Sequence, residues 1–231
     1  MSSATTKSMV LAAAALMFST AGAGDDINVS DFEAWSERSF SDHTKYTITV
    51  DDDATPILEA VTRGNASAFY RRGRIDLDAT PCLSWRWRID GTAPRSLDEL
   101  GKAGDDYAAR VYVVRRGGLA FWRAETINYV WSASQAVGRR WPNAYAGDNA
   151  QMWALDSGNS NAGTWIRHSR DIQQDWQRSF GEAIDHIDGI AIMTDGDDSN
   201  SRLSAAYADL HFSARTSDGL CKSRVNLSTK K

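Results

Sequence analysis

The chain has 231 residues, 24% of them charged, and carries a formal net charge of −4. That sign argues against nucleic acid or an anionic membrane surface as an electrostatic partner. A length of this order suits one large β-domain better than two average ones.

The N-terminal segment reads first. Lys7 sits in a short polar stretch, Met9 to Phe18 is apolar, and Ala21-Gly22-Ala23 places small residues at the −3 and −1 positions of a cleavage site. This is the layout of a secretory signal peptide over residues 1–23. The apolar stretch is too short to span a hydrocarbon core of about 30 Å, so no membrane insertion is expected after its removal. Cleavage after Ala23 removes 23 of 231 residues and leaves 208. These are expected to form one domain over residues 24–215, followed by a loose C-terminal tail over 216–231, in a periplasmic or secreted protein.

Beyond the cleavage site the text is rich in β-branched and aromatic residues, punctuated by turns and patterned with period two. Tyr46 to Val50, the turn Asp51-Asp52-Asp53 and Ile57 to Thr62 predict a hairpin. Ser67 to Tyr70, Arg74 to Leu77 and Leu83 to Ile89 predict further strands. Asp90 to Gly104, with Gly, Pro and charged residues, predicts an exposed excursion with one helical turn around Leu97 to Leu100. Strands are then expected at Tyr107 to Val114, Ala120 to Arg123, Thr126 to Ser132, Met152 to Asp156, Thr164 to Ser169, Ile187 to Met193 and Ser204 to Phe212. Asp171 to Phe180 breaks the pattern. An Asp cap, apolar residues at Ile172, Trp176 and Phe180, and a stop at Gly181 specify a short amphipathic helix. Many short strands and one helix predict an all-β, antiparallel sandwich of jelly-roll-like type.

Strand faces place the chemistry. Leu83, Trp85, Trp87 and Ile89 alternate with Ser84, Arg86 and Arg88, so the indoles point to a core and the guanidinium groups point away. Asp106, Ala108, Arg110 and Tyr112 share one face of the Tyr107 to Val114 strand. If both strands belong to one sheet, Arg86, Arg88, Asp106 and Arg110 form a polar recognition surface, since guanidinium offers paired donors to hydroxyls and carboxylates. A solvated outer face has the same pattern. The chain holds 9 Trp and 7 Tyr, and aromatic rings stack on sugar faces. Asn128, Tyr129 and Trp131, with Trp141 in the turn-rich stretch Trp141-Pro142-Asn143-Ala144-Tyr145, are the candidate stacking wall.

Aspartates at strand ends supply the other candidates. Asp195-Gly196-Asp197-Asp198-Ser199-Asn200 begins like a calcium loop but has Asn200 and Ala206 where an EF-hand needs glycine and glutamate. Asp195, Asp197 and Asp198 are therefore candidate calcium ligands, with an ordinary Asp/Gly/Asn turn as the alternative. Calcium is the one cofactor the sequence suggests. Asp106 with Asp195 or Asp197 could instead be the carboxylate pair of a glycosidase. The histidines show no metal-ligand spacing, and no nucleophile elbow is present. Cys82 and Cys221 could form a disulfide in an oxidising compartment or remain free thiols.

The strings Leu83-Ser84-Trp85-Arg86-Trp87-Arg88, Gly104-Asp105-Asp106-Tyr107-Ala108-Ala109-Arg110-Val111-Tyr112-Val113, Asn128-Tyr129-Val130-Trp131 and Ile190-Ala191-Ile192-Met193-Thr194-Asp195 resemble a bacterial family of exported proteins catalogued as domain of unknown function 3047. The resemblance runs from about Phe32 to Phe212. It departs at Gly196 and Asp198, where a threonine and an asparagine are expected of the family. It implies export and a β-rich domain and names no activity. The leading expectation is non-catalytic binding of a glycan or other polar cell-envelope ligand. A carbohydrate-active hydrolase and an envelope assembly factor are the alternatives.

Overall fold

Every long strand of this chain has at least one apolar row to bury, and two sheets packed face to face bury those rows together. The computed structural model describes residues 26–115 and 124–222. The expected signal peptide at 1–23, the strand expected at Ala120 to Arg123 and the last residues of the expected tail lie outside the described residues.

The strands are β1 (Ile27–Asn28), β2 (Ser36–Ser41), β3 (Lys45–Val50), β4 (Pro56–Arg63), β5 (Ala66–Asp76), β6 (Cys82–Ile89), β7 (Arg110–Arg115), β8 (Glu125–Ser132), β9 (Arg140–Asn143), β10 (Gly147–Ser157), β11 (Ile166–Asp171), β12 (His186–Met193) and β13 (Arg202–Ser213). One α-helix, α1 (Ile172–Phe180), separates β11 from β12. A six-stranded sheet runs β11-β6-β13-β4-β3, with β1 added alongside β13. A seven-stranded sheet runs β2-β5-β12-β7-β8-β10-β9. The chain passes repeatedly from one sheet to the other, giving the expected jelly-roll-like sandwich. One pairing departs from the expected antiparallel pattern, because β8 and β10 run parallel.

The core lies between the sheets. Trp85 and Trp87 of β6 are fully buried, as alternation predicts, and meet Tyr129 and Trp131 of β8 at ring centroid distances of 5.4 and 6.2 Å. Burying such rings contributes about 4–6 kcal/mol each before conformational entropy is counted. Two bulges shift the inward row by one residue. In β12 the core residues change from Ile187 to Ile190 and Ile192 across a register shift at Gly189. In β13 they change from Leu203, Ala205 and Tyr207 to Leu210 and Phe212 across a shift that holds Asp209 at φ 57°. Such a bulge adds one residue to one strand and re-aims all that follows.

The helix forms as its sequence specifies. Asp171 caps it by accepting from the Gln174 N–H at 3.1 Å, and Gly181 ends it at φ 75°, a left-handed conformation that glycine adopts without a Cβ penalty. Ile172 and Trp176 are buried against the sandwich.

Several local expectations are corrected. Ser67 to Tyr70 and Arg74 to Leu77 belong to one strand, β5. The Tyr107 to Val114 strand begins only at Arg110, because residues 107–109 leave the ladder to pack at the sheet end. Leu97 to Leu100 forms turns and no helix. The stretch from Trp141 begins as strand β9, which lays Trp141 against Met152 of β10. Of the two readings of Cys82 and Cys221, the disulfide is the one that forms, with Cα atoms 5.3 Å apart. Residues 216–222 of the expected loose tail therefore return to the domain, with a turn in which the Thr216 N–H donates to the Leu220 carbonyl. Among the described residues no helix is long and apolar enough to cross a membrane.

Candidate functional site

The proposed joint surface of Arg86, Arg88, Asp106 and Arg110 does not form, because β6 and β7 belong to opposite sheets. Arg86 and Arg88 lie on the outer face of the six-stranded sheet. Arg86 sets Nη2 2.5 Å from Asp51 and Nε 3.0 Å from Asp209. Both guanidinium groups lie over the Trp165 ring, at 4.6 and 5.2 Å. Arg110 is on the far side of the sandwich.

The aromatic wall is also corrected. Tyr129 and Trp131 face the core, with the Tyr129 hydroxyl donating to Asp175 at 2.7 Å and the Trp131 indole to the Gly158 carbonyl at 2.9 Å. Asn128 points to the other face but is equally buried, its amide donating to Thr126 at 3.2 Å. Trp141 packs with Tyr107, Val130, Met152 and Ala154 in a small cluster behind the seven-stranded sheet. Its placement in β9, which the turn-like Pro142-Asn143 obscures, is what buries it.

The strand-end aspartates do converge. Asp106, which precedes β7, and Asp195 and Asp197, which follow β12, each bring a carboxylate oxygen within 4.8 Å of the others. These three are the residues that could hold a cation. Asp198, of the expected ligand set, is turned to accept from the Tyr145 hydroxyl. The convergence is closed by protein on the inside. Asp106 accepts from the Asp198 and Ser199 N–H groups at 3.3 and 2.6 Å. Asp195 accepts from the Tyr107 N–H at 3.1 Å and from Arg110 Nη2 at 2.5 Å.

Arg110 thus sits as a built-in cation. Its Nη2 also donates to the Asp105 carbonyl at 2.8 Å, and Nη1 is 3.8 Å from the Asp105 carboxylate, which takes the Asn143 amide at 3.0 and 2.9 Å. Burial pushes Asp105 and Asp195 above the usual carboxylate range, opposed by Arg110. Asp197 is raised by partial burial and by Asp198. Burial works against the Arg110 charge, opposed by the carboxylates Asp195 and Asp105 beside it. A buried charge without such partners would be costly. Asp197, the other carboxylate expected to pair with Asp106, is partly exposed, whereas Asp106 and Asp195 are buried and already hydrogen-bonded within the protein. Their hydrogen bonds fasten the loop after β12 to the segment before β7.

Arg110 leads from this cluster to an open groove on the same face. Its guanidinium lies 4.5 Å from the Tyr107 ring centroid and 5.7 Å from that of Tyr112. Beyond Tyr112 the outward residues of the central strands are small: Ala68 on β5, Gly189 and Ala191 on β12. Larger neighbours, Tyr70, Tyr112 and Val114, stand on either side, and the difference in height leaves a cavity of about 210 Å³. Gly189 is required there, since a Cβ would lie 2.7 Å from the Arg71 carbonyl oxygen. Arg38, Phe40 and Arg72 form the rim, with the Arg72 guanidinium 5.2 Å from the Tyr70 ring and that of Arg38 5.3 Å from Phe40.

Sequence reasoning missed this groove, although a signal was present. In β5 the residues Ala66, Ala68, Tyr70 and Arg72 alternate with Ser67, Phe69 and Arg71, and small outward residues in a central strand mark a depression.

The sequence matches the family described as "Protein of unknown function (DUF3047)" over residues 33–211. The chain belongs to that family. The match takes in both ends of the groove, from Arg38 to Ala191, and the Arg110 cluster. No curated protein matches the DUF3047 chain.

Solved structures of similar chain path include the endoglucanase Cel12A from Rhodothermus marinus, at 10% identity and a TM-score of 0.44 over 83% of this chain and 96% of that one. The family 11 xylanase from Neocallimastix patriciarum has 12% identity and a TM-score of 0.43, covering 79% and 93%. The family 30 carbohydrate-binding module of a cellulosomal cellulase of Clostridium thermocellum has 8% identity and a TM-score of 0.43, covering 82% and 92%.

Proposed function

We propose that this is an exported, periplasmic or secreted protein that binds a glycan of the cell envelope without cleaving it, in the groove on the outer face of the seven-stranded sheet. The observation that carries the reading is the pair of tyrosine rings, Tyr70 and Tyr112, standing beside a trough of alanine and glycine. A ring face beside a shallow apolar floor suits the apolar face of a sugar, while hydroxyl and guanidinium edges at the rim suit its polar edge. Export is supported by the signal-like N-terminal sequence and by the Cys82–Cys221 disulfide, a bond that persists in oxidising compartments. The absence of cleavage is supported by the closed hydrogen bonding of Asp106 and Asp195, which leaves Asp197 as the one partly exposed carboxylate of the three expected to pair for hydrolysis.

Isothermal titration calorimetry against a panel of envelope polysaccharides tests this. Saturable binding is expected with at least one of them, weakened about tenfold or more in Tyr70→Ala, which removes a stacking ring from the groove wall. Silence across the panel, or affinity unchanged in Tyr70→Ala with the same melting temperature, would count against the groove.

A further inference from the structure

We infer that the saccharide taken by this groove is acidic, with carboxylates that meet the arginines of the rim. The inference rests on the glycan-binding reading above and adds the ligand's charge. The whole chain carries a net −4, yet among the described residues the side-chain charges lining the groove are Arg38 and Arg72 against Asp188, Arg71 lining it through its backbone while its guanidinium reaches the Asn28 carbonyl at 3.5 Å. A local reversal of sign on a negative protein is an electrostatic feature of the site rather than of the composition.

The geometry adds direction. Arg72 and Arg38 each lie over a ring, Tyr70 and Phe40 respectively, at 5.2 and 5.3 Å. Stacking a guanidinium on a ring limits where its N–H edge can turn and lowers the entropy lost when it engages a ligand. Tyr70 and Phe40 therefore do two things at once. They present apolar surface to a sugar ring and hold the two forks that a planar carboxylate accepts in paired hydrogen bonds. A uronic acid combines the two features this rim matches, a ring with an apolar face and a carboxylate at its edge. Folding does not require the arginines here, since exposed charges contribute little to stability.

The test uses the full exported chain in calorimetric titrations with oligogalacturonate, alginate oligosaccharides and neutral cellotetraose, at low and high salt. At least one of the two uronate ligands is expected to bind, to weaken as salt screens the pairs, and to lose about tenfold in affinity in Arg72→Gln, whose melting temperature should match wild type. Cellotetraose should bind at least tenfold more weakly. Equal affinity for neutral and uronate ligands, or a Tyr70-dependent uronate affinity that Arg72→Gln leaves unchanged, overturns the charge inference and leaves the groove standing. Binding of neither uronates nor any panel glycan overturns the groove itself.

Discussion

Arg110 shows at the scale of one residue how much depends on neighbours that lie far away in the chain. Two buried carboxylates, Asp105 and Asp195, lie against this one guanidinium, and Asp106 is within 4.8 Å of Asp195, so a single positive charge faces more negative charge than it can neutralise. Burial consequently holds Asp105 and Asp195 above the ordinary carboxylate range even with Arg110 beside them. For Asp105 the folded state then binds its proton more tightly than the unfolded chain, in which aspartate titrates near pH 4. That contribution to stability is complete below about pH 4 and is lost as pH rises through the folded value. Asp105→Asn keeps the neutral form at every pH. The stability of wild type minus that of the variant should therefore decline as pH rises above about 4 in urea denaturation. A difference that is flat or grows with pH would mean that Arg110 keeps Asp105 ionised throughout.

At the scale of the element, β12 decides the groove. Its inward row supplies Ile187, Ile190 and Ile192, and its outward row supplies Gly189 and Ala191. A continuous apolar run read from the sequence identifies such a strand but conceals which residues are small on the outside. The bulge makes the concealment worse, because it shifts the parity partway along. Gly189→Ala would drive a Cβ to 2.7 Å from a backbone oxygen of β5, which has no side-chain freedom to yield. Overpacking of this kind costs about 1–3 kcal/mol, which chemical denaturation should register as a lower midpoint with an unchanged slope. A neutral result would mean that β5 and β12 separate easily, and the groove floor would then not be a fixed surface. By contrast, β6 and α1 were legible as they stand, since Trp85 and Trp87 alternate without interruption and Asp171 and Gly181 mark both helix ends.

For the molecule as a whole, the disulfide joins the start of β6 to a segment 139 residues later in the chain. In the chain-entropy description, closing a loop of that length stabilises the fold by about 5 kcal/mol, with measured values commonly about 2–5. The Cys82→Ser, Cys221→Ser double variant should lose stability on that scale and melt markedly lower than the oxidised protein. A change under about 1 kcal/mol would indicate that the C-terminal segment is held by its other contacts.

What the sequence determined by itself was whatever depends on neighbours within a few residues: the β-rich class, the inward turn of the indoles around Arg86, the helix from Ile172 to Phe180, and the family. Period two and helix caps are local, so they survive in one dimension. Which sheet each strand joins was decided only by the tertiary structure, and that assignment sent Arg86 and Arg110 to opposite faces, buried Trp141 and Tyr129, and brought Asp106 to Asp195. The groove between Tyr70 and Tyr112 belongs to the same category. Its walls and floor come from strands that meet only through long-range pairing, where hydrophobic burial across the whole sandwich, and no short-range pattern, selects the partner.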